Sequence, residues 1–234
     1  MKITTYIMVN NEEMLMPYLI RHYSLFSDVV ILENNSTDNG INIAKSMGAK
    51  IISYNIPDEK DNQWIVDIKN KCWEGNSSDW VIIVDADEFV YHPNLVNILS
   101  TTDATIITPK WCNMFSDHIP TTNGQIYDEI CYGVEYEDGG KTNIFKPKEI
   151  TEINYDVGCH RCNPKGNIIY RDTEIKTLHM RYFSIDYVME RNAIAAKRLS
   201  QRNRDNGWSY HYYFSRERVE EFFNSSNKDI KKIT

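Results

Sequence analysis

The chain opens on alternating strand-like and helix-like segments. Ile3 to Val9 is rich in β-branched and aromatic residues and stops at Asn10-Asn11, the pattern of a strand. Glu12 to Phe26 repeats apolar residues at helical spacing (Leu15, Leu19, His22-Tyr23, Phe26), with Pro17 near the first turn, where a missing N–H costs least. Val29 to Leu32 predicts a second strand ending at Glu33-Asn34-Asn35; Ser36 is placed to cap the next helix and Gly48 to stop it. Lys50 to Ser53 reads as a third strand. From Glu59 to Trp73 the residues Trp64, Ile65, Ile68 and Cys72 share one stripe, which predicts a helix exposing Lys60, Asp67 and Lys71. Trp80 to Val84 is apolar without interruption, as in a strand buried on both faces, and runs straight into Asp85-Ala86-Asp87-Glu88-Phe89.

A short helix at Pro93 to Leu99 and a strand at Ala104 to Thr108 follow, and then the rhythm changes. Residues 109 to 180 are rich in Gly, Asn, Pro and aromatics, with short strands at Thr142 to Lys146, Ile168 to Tyr170 and Glu174 to His179 and no long helix. Ser184 to Arg202 and Arg216 to Phe223 are helical again. Alternating strands and helices predict the α/β class: a mostly parallel sheet flanked by helices, carrying an α+β extension and C-terminal helices. The expected organisation is a single domain over residues 1–234, with a first half to about 110, an extension over 111–183 and helices over 184–234.

Composition narrows the function classes. The chain has 234 residues, 41% of them apolar and 25% charged, enough for a core and unlike a disordered chain. No apolar run approaches the ~18 residues of a spanning helix, and the first six residues make a poor secretory signal, so a cytoplasmic protein is expected. A net charge of −7 would repel a phosphate backbone and argues against nucleic acid. From Lys197 onward nine basic residues face five acidic ones, so this stretch is +4 and the rest −11. The basic tail is placed to touch an anionic membrane, or is an ordinary terminal helix. Five cysteines without a framework of spacings suit reduced thiols, and the one C-x-x-C, Cys159 and Cys162, lacks the second pair a zinc site needs.

The polar residues that close strands are the candidate chemistry, because open α/β sheets bind ligands outside the carboxyl ends of their strands. Asn10-Asn11, Glu33-Asn34 and Asp85-Asp87 each close a predicted strand. Two carboxylates on alternate residues, Asp85 and Asp87, can share a divalent cation with a ligand bearing hydroxyls or phosphates, and hard oxygen ligands suit Mg²⁺ or Mn²⁺. The plain alternative is a solvated acidic turn. The first glycine is Gly40, so the first strand-helix turn holds no dinucleotide fingerprint, P-loop or Gly-rich triphosphate loop. Glu88-Phe89 is also the wrong sequence for an aspartyl-nucleophile phosphotransferase. A diphosphate held mainly by a metal remains.

Asn10-Asn11-Glu12-Glu13, then Glu33-Asn34-Asn35-Ser36-Thr37-Asp38, then Lys69-Asn70 ahead of the segment from Asp79 to Phe89 resemble the ordered motifs of family 2 glycosyltransferases, which have the GT-A fold. The resemblance covers residues 1 to about 110 and thins through Arg191. It implies a GT-A-like, Rossmann-like transferase of the kind that serves polysaccharide biosynthesis. Such an enzyme moves a sugar from a nucleoside-diphosphate sugar to a hydroxyl of a glycan or glycoconjugate, with inversion, using Mn²⁺ or Mg²⁺. It implies Glu33, beside Asn10 and Asn11, at the nucleobase; Lys69 near the nucleotide; Asp85 at ribose and metal; and Asp87 as a metal ligand. The family usually has Asp at the place of Glu33, and often Asp-Gly after it, so Glu33-Asn34-Asn35 departs from the pattern and leaves the base open. A late histidine often completes the metal site, and His179 is the choice, with His160 the alternative; either also reads as a structural histidine. Arg181 and Arg191 stand as partners for the leaving diphosphate, although an arginine on a helix, like Arg191, is more often on the surface. No clean Glu-Asp pair marks the catalytic base, and Asp117, Asp156 and His160 are the candidates. The rival readings are a nucleotidyltransferase that makes a nucleotide sugar, and a module that holds nucleotide or glycan without turnover.

Overall fold

The computed structural model describes residues 1–54, 57, 60–136 and 139–234. Its elements in chain order begin with β1 (Ile3–Val9), α1 (Met16–Tyr23), β2 (Asp28–Glu33), α2 (Gly40–Ser46), β3 (Lys50–Ser53), α3 (Asn62–Lys71), β4 (Trp80–Asp85), β5 (Glu88–Tyr91), α4 (Leu95–Thr101) and β6 (Ile106–Ile107). They continue with β7 (Lys110–Phe115), α5 (Ile126–Glu129), β8 (Tyr132–Tyr136), β9 (Ile144–Phe145), β10 (Ile150–Glu152), β11 (Lys165–Gly166) and β12 (Lys176–Tyr182). The C-terminal part holds α6 (Ile185–Arg198), α7 (Gln201–Asp205), a 3₁₀ turn at Tyr210–Tyr213, α8 (Arg216–Ser226) and β13 (Lys231–Lys232).

Strand alternation divides the core into two layers. Ile3, Ile7 and Val9 of β1, Val29 and Ile31 of β2, and Ile82 and Val84 of β4 pack against Leu19 and Tyr23 of α1 and Ala44 of α2. Their alternates Tyr6, Val30, Leu32, Val81 and Ile83 face Val66 and Ile68 of α3 and Trp73. The resulting six-stranded sheet has the order β3-β2-β1-β4-β9-β6, with β3, β2, β1 and β4 parallel. The α/β reading of the first half stands. Register also sets the functional edge: Val9 pairs with Glu33 and Met8 with Asp85, so the polar ends of β1, β2 and β4 finish side by side.

Several local expectations are corrected. α1 covers only Met16–Tyr23, because the Glu12 carbonyl accepts from both Leu15 and Met16 in a turn ahead of the helix. Ser36 does not cap α2, which starts after Asn39; its hydroxyl accepts the Asn11 N–H at 3.1 Å and ties two strand-end loops together. Gly48 does end that helix, at φ +89°. Asp61 caps α3, accepting from Gln63 and Trp64, while Glu59, the expected start, lies outside the described residues. The buried side chains of α3 are Val66, Ile68 and Lys69, and Trp64, Ile65 and Cys72 are only half-buried. The lysine in the buried set, Lys69, is paired with Asp85 at the end of β4.

The largest correction concerns residues 88 to 232. The expected α+β extension with short strands is more regular than its pattern suggests, a second five-stranded sheet, β13-β8-β7-β12-β5, with β7 and β12 parallel at its centre. β7 escaped the pattern because it is buried on both faces from Trp111 to Phe115 and shows no alternation. Ile168 to Tyr170 makes only an isolated bridge, Tyr170 with Ile106. One core cluster joins the two sheets, running from Ile7 and Val84 to Cys112, Met114, Leu178 and Met180. No described helix is long and apolar enough to cross a membrane.

Candidate active site

A cavity of about 580 Å³ opens where the carboxyl ends of β1, β2 and β4 meet β7 and β12 of the second sheet. Its first wall carries Asn10, Asn11 and Glu12 after β1, Asn34 after β2, and Asp85 to Glu88 after β4. The opposite wall comes from the C-terminal third, with Arg191 and Arg198 on α6, then His211 and Tyr212. That third is tied down where Lys60 and Leu199 form a parallel bridge, with Lys60 N–H donating to Arg198 at 2.6 Å. An amide pair, Asn62 with Asn203, adds hydrogen bonds of 3.0 and 3.1 Å.

At the floor of the cavity four charged side chains form a buried network. The Asp85 carboxylate accepts from Lys69 at 2.5 Å and from Lys141 at 2.7 Å, and Lys141 also reaches Glu88 at 2.5 Å. Glu88 further accepts the Asp85 N–H at 3.1 Å. Burial pushes the Asp85 carboxyl up, but Lys141 and Lys69 outweigh it and hold the group well below the usual carboxylate range. Glu88 behaves oppositely: burial prevails over Lys141, and its carboxyl is raised. The two lysines are kept charged against burial, Lys141 by Asp85 and Glu88, Lys69 by Asp85.

Asp87 stands apart from this network. Its Oδ2 lies 3.5 Å from His179 Nε2 and 3.9 Å from the Arg181 guanidinium. Burial raises its carboxyl, yet His179 and Arg181 bring it below the ordinary range. The tautomer of His179 follows from its neighbours. Trp111 Nε1 can only donate, so the Asn113 atom 2.9 Å away is the amide oxygen. His179 Nδ1, 2.8 Å from that same oxygen, must donate too. Nε2 is then the ring nitrogen left to face the Asp87 carboxylate across 3.5 Å, and it can meet that oxygen as an N–H donor or share a cation with it through its lone pair. Ligands at ~2.1 Å from one ion stand about 3 to 3.5 Å apart, and the donor set of one imidazole and one carboxylate, oriented by Asn113 behind the ring, suits Mn²⁺ or Mg²⁺. No group of three His, Cys, Asp or Glu side chains is gathered around one point among the described residues.

The other residues singled out by sequence are distributed as follows. Asn10 donates to the Asn34 carbonyl at 2.5 Å and accepts from Arg198. Asn11, at φ +53°, accepts from the N–H groups of Thr37 and Asp38 at 2.6 and 3.3 Å, so it holds the β2 loop against the β1 loop. Glu33 is not on the cavity wall; its carboxylate accepts the Ser36 N–H at 2.5 Å. Asn34 takes the wall position, and its buried Oδ1 has no hydrogen-bond partner among the described residues. His160 lines the cavity and donates from Nδ1 to the Gly139 carbonyl at 3.1 Å; burial and Lys141 lower its pKa. Asp117 and Asp156 stay outside, Asp117 with its side chain 99% exposed and paired to His118, Asp156 on the exposed turn of the 155–162 loop. Arg191 is half-buried and not a surface residue, paired with Glu12 and donating to the Asn11 carbonyl at 3.3 Å.

Sequence reasoning missed Lys141, Glu88, Asn113 and Tyr212. Glu88 follows directly on Asp87 and was legible as a third carboxylate; Lys141, in a loop after Gly139-Gly140, carries no periodic signal.

No known protein-family model matches the chain. Two curated relatives do, over 90 residues each: an uncharacterized glycosyltransferase of Rickettsia typhi, 33% identical, and one of Rickettsia prowazekii, 31% identical. Each match takes in 37% of this chain and 28% of the relative, so the chain spans less than a third of the curated relatives it matches. Among solved structures, a glucosyl-3-phosphoglycerate synthase from Mycobacterium tuberculosis with Mn²⁺, UDP and glucosyl-3-phosphoglycerate is 21% identical, with a TM-score of 0.36 over 47% of this chain and 44% of that one. The same enzyme with Mg²⁺ and UDP matches at the same TM-score over 47% and 43%.

Proposed function

We propose that this chain is a metal-dependent glycosyltransferase that takes a sugar from a nucleoside-diphosphate donor and passes it to an acceptor hydroxyl. The observation that carries the reading is the close approach of Asp87 Oδ2 and His179 Nε2, 3.5 Å apart, beside a rim where three strand ends meet. Asp87 and His179 would hold Mn²⁺ or Mg²⁺, which when bound supplies positive charge to the departing diphosphate. The relatives named as glycosyltransferases support the same class.

The chain's own residues divide the work. Asn34 presents an unpaired amide oxygen to an N–H or O–H of the base, in the place expected of Glu33. Asp85, pinned by Lys69 and Lys141, offers a fixed carboxylate edge toward the ribose. Arg181 and Arg191 add charge where the diphosphate leaves. His160 is the one of the three base candidates on the cavity wall. Its Nδ1–H is committed to Gly139, so Nε2 keeps a lone pair for the acceptor proton, and its lowered pKa keeps the ring neutral. A base opposite the leaving group gives inversion.

The test is thermal stability against a panel of nucleoside diphosphates, each with and without Mn²⁺, because a ligand of the native state raises Tm by mass action. One diphosphate is expected to give a Mn²⁺-dependent rise that is absent in Asp87→Ala. A folded protein that answers to none of them defeats the reading. A donor panel separates the nucleotidyltransferase, which would respond to a triphosphate and a sugar phosphate.

A further inference from the structure

A second cavity, about 420 Å³, lies behind the first between β12, α6, the 3₁₀ turn and α8. Its chemistry differs from that of the donor site. Val188 and Val219 are buried in its floor, and Tyr182, Phe214 and Phe222 form its sides. The rings are fixed: Tyr182 stacks on Phe115 at 5.0 Å and 15°, and packs on Phe222 at 5.0 Å. Charge enters at two places, the outer edge, where Arg218 and Glu221, 3.3 Å apart, are each about two-thirds exposed, and the inner wall, where Arg181 is largely buried. Concave sites that are mainly apolar and aromatic, with a few placed polar groups, are built to bury the body of a small molecule.

The position of this cavity says which molecule. Arg181, Tyr182 and His211 line both cavities, so the two are separated by a single layer of side chains. Within that layer Arg181 reaches Asp87 at 3.9 Å on the donor side and is held by Asn192 at 2.7 Å on the other. A ligand lying in the apolar cavity reaches Asp87 and His179 by passing its polar end through the Arg181 layer, which requires that side chain to give way. A dry ~150 Å³ cavity is large enough for benzene, so this one admits a substituted aryl ring or a medium alkyl chain.

We propose, resting on the transferase reading above, that this cavity is the acceptor subsite and that it selects an amphipathic alcohol, whose apolar aryl or alkyl body it buries while the reacting hydroxyl enters the donor cavity past Arg181. The acceptor is recognised by its apolar body, and a polar glycan chain alone leaves the subsite unfilled. An apolar side chain of another protein would fit the floor but would carry no hydroxyl to the donor side.

The experiment titrates the purified full chain with methyl, butyl, hexyl and octyl β-glucoside below their micelle concentrations, and in parallel with UDP and Mn²⁺. Affinity is expected to rise about fourfold for each added methylene from butyl to octyl, as burial of apolar surface demands, with methyl glucoside undetected. Ser225→Trp, at an exposed position on the cavity rim, is expected to flatten the series and leave UDP affinity within about twofold of wild type on that ground. Val219→Trp, which fills the floor, is expected to do the same and covers the case in which the rim variant fails to fold. An affinity independent of chain length, or an equal gain in wild type and both variants, overturns the subsite. Wild-type protein that binds the alkyl series but no nucleoside diphosphate overturns the transferase reading instead, and the acceptor assignment with it.

Discussion

At the scale of single residues, the site depends on side chains that hold others in place. Asn113 lines the cavity, and its amide oxygen fixes the His179 ring through Nδ1 at 2.8 Å. Asn113→Ala removes that orientation and is expected to weaken Mn²⁺ binding about 10- to 100-fold, the usual cost of losing a partner behind a metal ligand; titration of Mn²⁺ into wild type and variant reads it directly. Glu12 gives a pH signature. Burial drives its carboxyl up to about 7 despite Arg191. A folded pKa above the unfolded one means that the stability contributed is complete below the unfolded value and is lost as pH rises through the folded value, here from about 4.5 to about 7. Glu12→Gln has no such loss, so its Tm relative to wild type is expected to climb across that interval. A constant difference would show that Arg191 compensates the buried charge fully.

Elements of the fold are joined by the four-charge network as much as by packing. Lys69 comes from α3, Asp85 from the end of β4, Glu88 from the start of β5 and Lys141 from the loop before β9, so one cluster pins four segments. Lys141→Met leaves Glu88, 1% exposed, without its cation and strips one of two from Asp85. Removing one partner of a buried ion pair costs about 3 kcal/mol or more, and urea unfolding should record a loss of that order. Adding Glu88→Leu in the same chain should restore most of it, since replacing both partners with apolar groups is often neutral; no recovery would mean that Glu88 has a second task. The legibility of elements followed their environment. β1, β3 and β4 were read to within a residue because each carries either clean alternation or a continuous apolar run. β7 and β8 were not, since a strand buried on both faces with Trp, Cys, Asn and Met in succession resembles no period. Asp87, the carboxylate proposed as a metal ligand, was legible because it closely follows a strand. Lys141 and Asn113 were not, because each is brought to the site only by pairing between strands distant in sequence.

On the scale of the whole molecule, the two sheets share one core and the cavity lies at their junction, so neither sheet makes the site alone. The expectation of a parallel sheet was right for the first half because βαβ units write themselves locally, in alternation and caps. The second sheet is assembled from residues as far apart as Glu88 and Lys232, and local pattern says nothing about such pairings. The bridge between Lys60 and Leu199 carries a consequence for synthesis. Residues 3 to 85 emerge before α6 and Tyr212 and carry the polar ends of β1, β2 and β4, but their open rim has no facing wall until those later segments follow. On the proposed reading a nascent chain is born with half a binding site, and affinity for nucleotide is expected only after the stretch of chain that closes over Lys60 has emerged.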